Sequence, residues 1–356
     1  MLGISVYLGN DFIEGFESYI QKVRSIGFTS IFTSLHIPED DPLLYKERLI
    51  WLGEQAKKND MELMADISPK SLGHLGFTWD NAEGLLEWGV SGLRIDYGVD
   101  ESVIVRLSHK MKLALNASTL TKDGLRRMKD AGLRVEAAEA WHNFYPRPET
   151  GLDADEFKQV NRWLKEEGLT VMAFVPGDGK LRGPLFEGLP TLEDHRGISP
   201  MAAYLDLVQH GYVEKVLVGD LTLSEETLEQ FAAYQEGVVL LRALAESEEK
   251  AWIEPLASIQ TNRQDAARDC IRSRESREYG LIGTRPVPVF NTAERLPGSI
   301  TIDNERYGRY QGEVQITKRH LSQDEKVNVI GRVIQEDIPL LQYVTGGIKF
   351  RIQWNK

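Results

Sequence analysis

The sequence predicts an α/β fold, a (β/α)8 TIM barrel followed by a small β-rich C-terminal domain, and three observations carry that prediction. Short β-branched or apolar runs alternate with longer amphipathic ones from the first residues onward, the pattern of parallel strands joined by crossover helices. The alternation repeats through eight units of roughly thirty residues each, the size of a βαβ unit, which favours a closed barrel over an open sheet. Helix-to-strand turns carry Gly27, Gly132, Gly168 and Gly211, while strand-to-helix loops carry Asp, His, Asn and Pro. That asymmetry is expected of a barrel whose site lies on its C-terminal face.

Taken in order, Gly3 to Leu8 is the first strand and Phe12 to Ile26 an amphipathic helix. FTSIFTS (Phe28 to Ser34) is the second strand, and Pro42 to Asn59 a helix opening with proline, which suits the first helical turn. Met61 to Ile67 is the third strand, with SPKSLGHLGF read as a loop before a short helix near Asn81 to Trp88. SGLRID (Ser91 to Asp96) is the fourth strand and Glu101 to His109 its helix. Leu113 to Asn116 is the fifth strand, after which Thr121, Lys122 and Asp123 cap a helix running through Lys129. The sixth strand is placed at Leu133 to Ala138, with a helix from about Asp153 to Glu167. Leu169 to Val175 and Val213 to Gly219 complete the barrel, with helices at Ala202 to Gln209 and Glu225 to Glu236. Beyond Leu240 the texture changes: Pro286, Pro288, Pro297, Gly346-Gly347 and alternating runs such as Glu313 to Ile316 and Ile348 to Trp354 read as short antiparallel strands. The expected domains are 1–238 and 239–356.

Composition narrows the functions. With 42% hydrophobic and 27% charged residues the chain is an ordinary globular protein. Forty-two Lys and Arg against 54 Asp and Glu leave a net charge of −12, which disfavours a nucleic-acid partner. An anionic small molecule fits only if basic groups gather in one cleft. A single cysteine, Cys270, excludes an internal disulfide and a thiolate metal cluster. No apolar run is long enough to span a membrane, and MLGISVYLGNDF has no basic region before its apolar residues. The expectation is a cytoplasmic protein, with homo-oligomerisation left open.

One stretch stands out. FVPGDGKLRGPLFEGLPTLEDHRG, Phe174 to Gly197, has neither helical nor strand periodicity yet holds apolar anchors at Leu181, Leu185, Phe186, Leu189 and Leu192. Connections longer than roughly 12–15 residues are usually functional or disordered, and the anchors argue against disorder. Around it, polar residues at strand ends share one mouth: Asp66, Asp96, Asn116, His142, Asp178 and Asp220. Asp220 directly precedes a helix and reads as a cap. Asp96 ends an otherwise apolar strand and is the first catalytic candidate, where burial would suit it to proton transfer.

Two carboxyl groups flanking a sugar are the minimum apparatus of most glycosidases. Glu187, in GPLFEGLP, is the chosen partner of Asp96, with Asp178 and Glu193 in reserve. Phosphate recognition wants arginine forks, and barrels place such sites in the loops after strands seven and eight. Arg182 and Arg196 lie in the seventh loop and Arg147 in the preceding one. His142, Asn143 and Tyr145 combine hydrogen bonding with stacking surface, a pairing suited to a sugar. No HExxH, CxxC, EF-hand, GxGxxG or Walker pattern occurs, so no metal and no cofactor are expected.

The strings FTSLH (Phe32 to His36), DISP (Asp66 to Pro69), LRID (Leu93 to Asp96), LNAST (Leu115 to Thr119), HNFYPRPETGL (His142 to Leu152), RGPLFEGLPTLEDHR (Arg182 to Arg196), VLVGD (Val216 to Asp220) and IRSRESR (Ile271 to Arg277) together resemble a bacterial family associated with 6-phospho-N-acetylmuramidase. The resemblance runs over nearly the whole chain. It implies a TIM barrel followed by a cyclophilin-like β domain. It also implies hydrolysis of the β-1,4 bond in a phosphorylated amino-sugar disaccharide, 6-phospho-MurNAc-GlcNAc, during cell-wall recycling. The roles given to Asp96 and Glu187 rest on position and chemistry, not on the family. In the second domain, Arg263, Arg272 and Arg274 are read either as ligands of the phosphate or lactyl carboxylate or as salt-bridge residues. Two rival readings keep the barrel. One is an aldolase, epimerase or isomerase, of which the aldolase is disfavoured because the strands are read as lacking an internal lysine. The other is a non-catalytic sugar-phosphate sensor.

Overall fold

The computed structural model describes residues 1–9, 15–35, 45–95, 98–278 and 286–355. Eight strands, β1 (Leu2–Ser5), β2 (Phe28–Ser34), β3 (Glu62–Ile67), β4 (Gly92–Ile95), β5 (Lys112–Asn116), β6 (Ala138–Trp141), β7 (Thr170–Val175) and β8 (Lys215–Val218), pair in parallel and in sequence order, and β8 closes on β1. Helices α1 (Phe16–Ser25), α2 (Tyr45–Lys58), α3 (Pro69–His74), α4 (Glu101–Ser108), α5 (Lys122–Asp130), α6 (Ala154–Glu166), α7 (Pro200–His210) and α8 (Glu225–Gln235) follow the strands. The chain divides into two compact units, Met1–Leu228 and Glu229–Lys356, so the division falls inside α8.

Strand alternation decides what fills the lumen, because side chains on a strand point to opposite faces in turn. Phe32, Met64, Ala114, Trp141, Met172, Phe174 and Leu217 form one buried cluster. The rings of Phe32 and Phe174 meet edge to face at 5.4 Å, and Phe32 and Trp141 lie 5.7 Å apart. Gly3 on β1 is required here: a Cβ on it would lie 2.2 Å from Leu217 Cδ2. The lumen is therefore a packed core and not a channel.

The two ends of that core are both polar. At the N-terminal end the Lys215 ammonium, 1% exposed, is paired with Glu62 and, at 3.0 Å, with Glu139. Lys112 meets Glu62 at 2.5 Å, and the Trp141 indole donates to Glu139 at 2.6 Å. Burial opposes the ionised form of Glu62, but Lys215 and Lys112 outweigh it and hold that carboxyl below its usual range.

Three expectations need correction. Strand β6 begins at Ala138, where the expected strand ended, because Val135–Ala137 form a 3-10 turn and the inward positions are Glu139 and Trp141. SPKSLGHLGF is not simply a loop: Ser68 accepts from the Ser71 amide and caps α3, with Pro69 in the first turn. The strands do contain lysine, since Lys112 opens β5 and Lys215 opens β8. Both sit at the N-terminal end and are ion-paired there, away from the face where barrel chemistry occurs.

In the second unit β9 (Val238–Ala245), β10 (Gln260–Thr261), β11 (Cys270–Arg272), β12 (Ser299–Asp303), β13 (Val314–Thr317), β14 (Val327–Val333) and β15 (Lys349–Asn355) form a seven-stranded sheet. Its order is β10-β15-β9-β14-β12-β13-β11, and every named pair is antiparallel except β15 with β9. Arg242 and the fully buried Asp337 pair at 2.6 Å beneath it, with Gln230 donating to the same carboxylate at 2.8 Å. Arg263 is engaged with Asp265 at 3.0 Å and Arg274 lies 3.4 Å from Glu275, while Arg272 lies 3.8 Å from both Asp265 and Glu313.

Candidate active site

The C-terminal mouth of the barrel carries a belt of polar side chains that spans neighbouring strands. Ser34, Asp66 and Arg94 are register partners on β2, β3 and β4. Ser34 Oγ donates to Asp66 Oδ2 at 3.2 Å, and Arg94 Nη1 donates to Asp66 Oδ1 at 3.0 Å. The other terminal nitrogen of Arg94 donates to Asn143 Oδ1, just beyond β6. Arg94 is 5% exposed and the Asp66 side chain 13%. A buried ion pair costs desolvation and persists at full strength only where its geometry is held; here strand register holds it.

Across the mouth, aromatic groups carry a second guanidinium. Phe144 meets Phe174 edge to face at 5.1 Å and so roofs the lumen core. The Arg182 guanidinium lies 4.2 Å from the Tyr7 ring centre and 5.9 Å from that of Phe144, within cation–π range. Tyr7 is fully buried, its hydroxyl donates to the Gly219 carbonyl at 2.6 Å, and burial raises its pKa so that the phenol stays protonated. The backbone beneath Arg182 is fixed by Asp220, whose carboxylate accepts from the amides of Gly177, Arg182 and Leu189 at 2.8, 3.0 and 2.9 Å. Asp220 therefore holds the seventh loop rather than capping a helix as its sequence position suggested, since α8 begins only at Glu225; burial raises its pKa against those bonds.

Of the sequence candidates, Asp66, Asn143 and Arg182 stand in this mouth. Asn116 ends β5 and accepts from the Ser118 amide at 2.9 Å, shaping the turn that follows. Asp96, the first catalytic candidate, lies outside the described residues. Glu187 is exposed on the crest of the seventh loop, where its carbonyl accepts from Arg196 at 3.0 Å. Asp178 is engaged elsewhere: it accepts from the Ser224 amide and hydroxyl and from the Thr227 hydroxyl at 2.9, 2.8 and 2.6 Å, holding Ser224, whose hydroxyl caps α8 by accepting from the Thr227 amide at 3.2 Å.

His142 is placed differently from the expectation. Its ring is 2% exposed, packs 4.6 Å from Phe157 and bonds Asn161 at 2.6 Å, so it braces β6 against α6. Burial pushes its pKa down to about 4, which keeps it neutral. Glu193 and Arg196 are likewise engaged with one another and with the loops. Arg196 grips Glu193 through two nitrogens at 2.7 and 2.9 Å and donates to the carbonyls of Gly188 and Tyr145 at 3.1 and 2.9 Å. Glu193 in turn accepts from the amides of Glu149 and Gly151 at 2.8 Å each. The Arg196 bonds, against partial burial, hold Glu193 down at about 2. Gly151 is needed there, since a Cβ on it would lie 2.6 Å from Glu193 Oε2. This knot ties the sixth loop to the seventh, with Tyr145 half-buried within it and the Arg147 side chain exposed beside it.

Sequence reasoning missed Arg94, Ser34 and Tyr7. The available signal for Arg94 was its parity: it stands two residues after Gly92 in an otherwise apolar strand, in register with Asp66. Among the described residues, no group of three or more His, Cys, Asp or Glu is arranged to hold a metal ion.

Comparison with known proteins decides the family. A model of the N-terminal part of 6-phospho-N-acetylmuramidase matches residues 2–233, and a model of its C-terminal part matches residues 238–353. The chain belongs to the 6-phospho-N-acetylmuramidase family. Among solved structures, a conserved Enterococcus faecalis protein described as having an unknown function is 44% identical with a TM-score of 0.90, covering 100% of this chain and 96% of that one. An uncharacterised B. cereus protein is 26% identical with a TM-score of 0.72, covering 99% of each chain. The curated proteins yield no match.

Proposed function

We propose that the protein is a glycoside hydrolase that cleaves the β-1,4 bond of 6-phospho-N-acetylmuramyl-N-acetylglucosamine in peptidoglycan recycling, acting in the cytoplasm. The observation that carries this reading is the Arg182 guanidinium on Tyr7 and Phe144, in the loop after β7. That is where barrels gather phosphate-binding groups, and an arginine fork matches a phosphate's oxygens. Family membership over residues 2–233 and 238–353 supports the same substrate class.

In this reading Arg182 holds the 6-phosphate and Asn143 orients the amino sugar. Asp96, next in sequence to the last residue of β4, supplies a catalytic carboxyl group. A phosphorylated disaccharide is anionic, and the chain's net charge of −12 repels it in general. Cationic groups concentrated at one mouth reverse that sign locally. The test is to incubate the protein with phosphorylated and unphosphorylated MurNAc-GlcNAc and measure released GlcNAc. Release from the phosphorylated sugar alone is expected; equal release from both, or none, would overturn the reading.

A further inference from the structure

We infer that Asp66 is a catalytic carboxylate of the hydrolase, serving the face of the anomeric carbon opposite the leaving oxygen, and that Arg94 is its positioning residue. The inference deepens the proposed function and rests on it. Its grounds are the geometry of the mouth.

The other described acids of the rim are tied up or unsupported. Asp178 holds Ser224 and Thr227 at the start of α8, Asp220 collects three loop amides, and Glu193 is locked to Arg196. Glu187 stands exposed on a loop crest. Asp66 alone among these is held by side chains from adjoining barrel strands, Ser34 on β2 and Arg94 on β4, each the register partner of Asp66. Groups mounted on strands are held more exactly than groups mounted on loops, which is what a reacting carboxylate requires. The belt extends through Arg94 to Asn143, so the guanidinium is itself fixed from two sides.

A purely structural ion pair is a weaker explanation. The barrel already has its polar plug at the opposite end, in Lys215, Glu62 and Glu139. A second buried pair at the mouth gives no stability that apolar residues of similar volume would not give. What it does give is a carboxylate with a fixed direction and a balancing positive charge.

The step balances as follows. A lone pair on the Asp66 side of the ring, from its own oxygen or from a water whose proton it takes, forms the new bond to C1. The bond from C1 to the GlcNAc oxygen breaks, that oxygen keeps the bonding pair, and a second carboxyl group protonates it.

The experiment uses the full chain and an aryl β-glycoside of 6-phospho-MurNAc, whose leaving group departs without acid assistance. Asp66→Gly is expected to lose activity by about 10²–10⁴-fold, the range for removing an acid–base group. Sodium azide should then restore turnover and yield the α-glycosyl azide. Formation of the β-azide, absence of any azide product, or a loss below tenfold would overturn the inference. Asp66→Asn, which keeps the side chain's shape, must show a comparable loss, so that a folding defect is not mistaken for a catalytic one. Arg94→Met should lower kcat more than it raises KM and move the acidic limb of the kcat/KM profile to higher pH, with Arg94→Lys partly restoring both. An unmoved pH profile would leave Arg94 a structural residue. Failure of the wild-type protein to release GlcNAc from the phosphorylated disaccharide would instead strike the proposed function, so the two failures are distinguishable.

Discussion

Arg182 and Arg196 stand fourteen residues apart in one loop and illustrate how far a residue's neighbours decide its role. Arg182 lies on an aromatic bed. Replacing it with Ala should lower kcat/KM for the phosphorylated substrate about ten- to a hundredfold, the effect of removing one charged hydrogen-bond partner. Inhibition by inorganic phosphate should weaken in the same variant, and steady-state kinetics with and without phosphate would check this. Arg196 has its donors directed to Glu193 and to loop carbonyls. Arg196→Ala should therefore destabilise the protein by about 2 kcal/mol, read by urea denaturation, because the Glu193 carboxylate loses its partner. The sequence made both arginines visible through their loop, but not that one is knotted to Glu193 and the other laid on aromatic rings. Asp66 and Asn143 were legible because strand ends meet at one mouth. His142 misled because the residue after a strand may turn outward to a helix, as this one does toward Phe157 and Asn161. Arg94 was hidden because a charge inside a short apolar strand reads as an exception until its register with Asp66 is known.

At the level of elements, polar groups fix where strands and helices end. Lys215 on β8 joins Glu62 on β3 and Glu139 on β6, bringing together strands far apart in sequence. Lys215→Met removes one charge and leaves the buried Glu139 without its ammonium partner, while Glu62 keeps Lys112. Breaking a buried network in this way typically costs about 3–5 kcal/mol, and equilibrium denaturation should record a loss of that size with the mouth chemistry unaffected. Asp178→Ala frees Ser224, whose hydroxyl caps α8 by accepting from the Thr227 amide, and should cost about 1–2 kcal/mol, with the first turn of α8 showing faster amide exchange. The elements legible in sequence were those with a clean period or a cap: α4 and α5 begin within a residue of their expected starts. Strand β6 was displaced because LRVEAAEAW alternates apolar and charged residues on both sides of Ala138, and only the packing of Trp141 in the lumen shows which residues are strand.

For the molecule as a whole, the two units carry titrating groups that respond to pH in opposite directions. In the first unit His142 has its pKa lowered to about 4 by burial. Between that value and its ordinary 6.5 the unfolded chain binds the extra proton, so acidification in this window destabilises the unit. In the second unit burial, and then the neighbouring Glu313 carboxylate, raise Asp303 to about 7. Between its ordinary value near 4 and about 7 the folded unit binds the extra proton, so acidification stabilises it. Each contribution is on the order of 1.4 kcal/mol per pH unit within its window. Calorimetry from pH 7 to pH 5 should show Asp303→Asn removing a stabilising response to acid in the second unit, while His142→Gln removes a destabilising one in the first. Two-unit organisation was legible from the change in texture beyond Leu240, because short alternating runs replace the strand-helix repeat there. The filled lumen has a consequence for traffic. Since Trp141, Met172 and Leu217 leave no passage and Lys215 plugs the base, whatever enters the mouth must leave by the same door. On the proposed hydrolysis, water displaced on arrival and the two fragments would share that one exit, so the piece seated deeper would have to wait for the outer one to go.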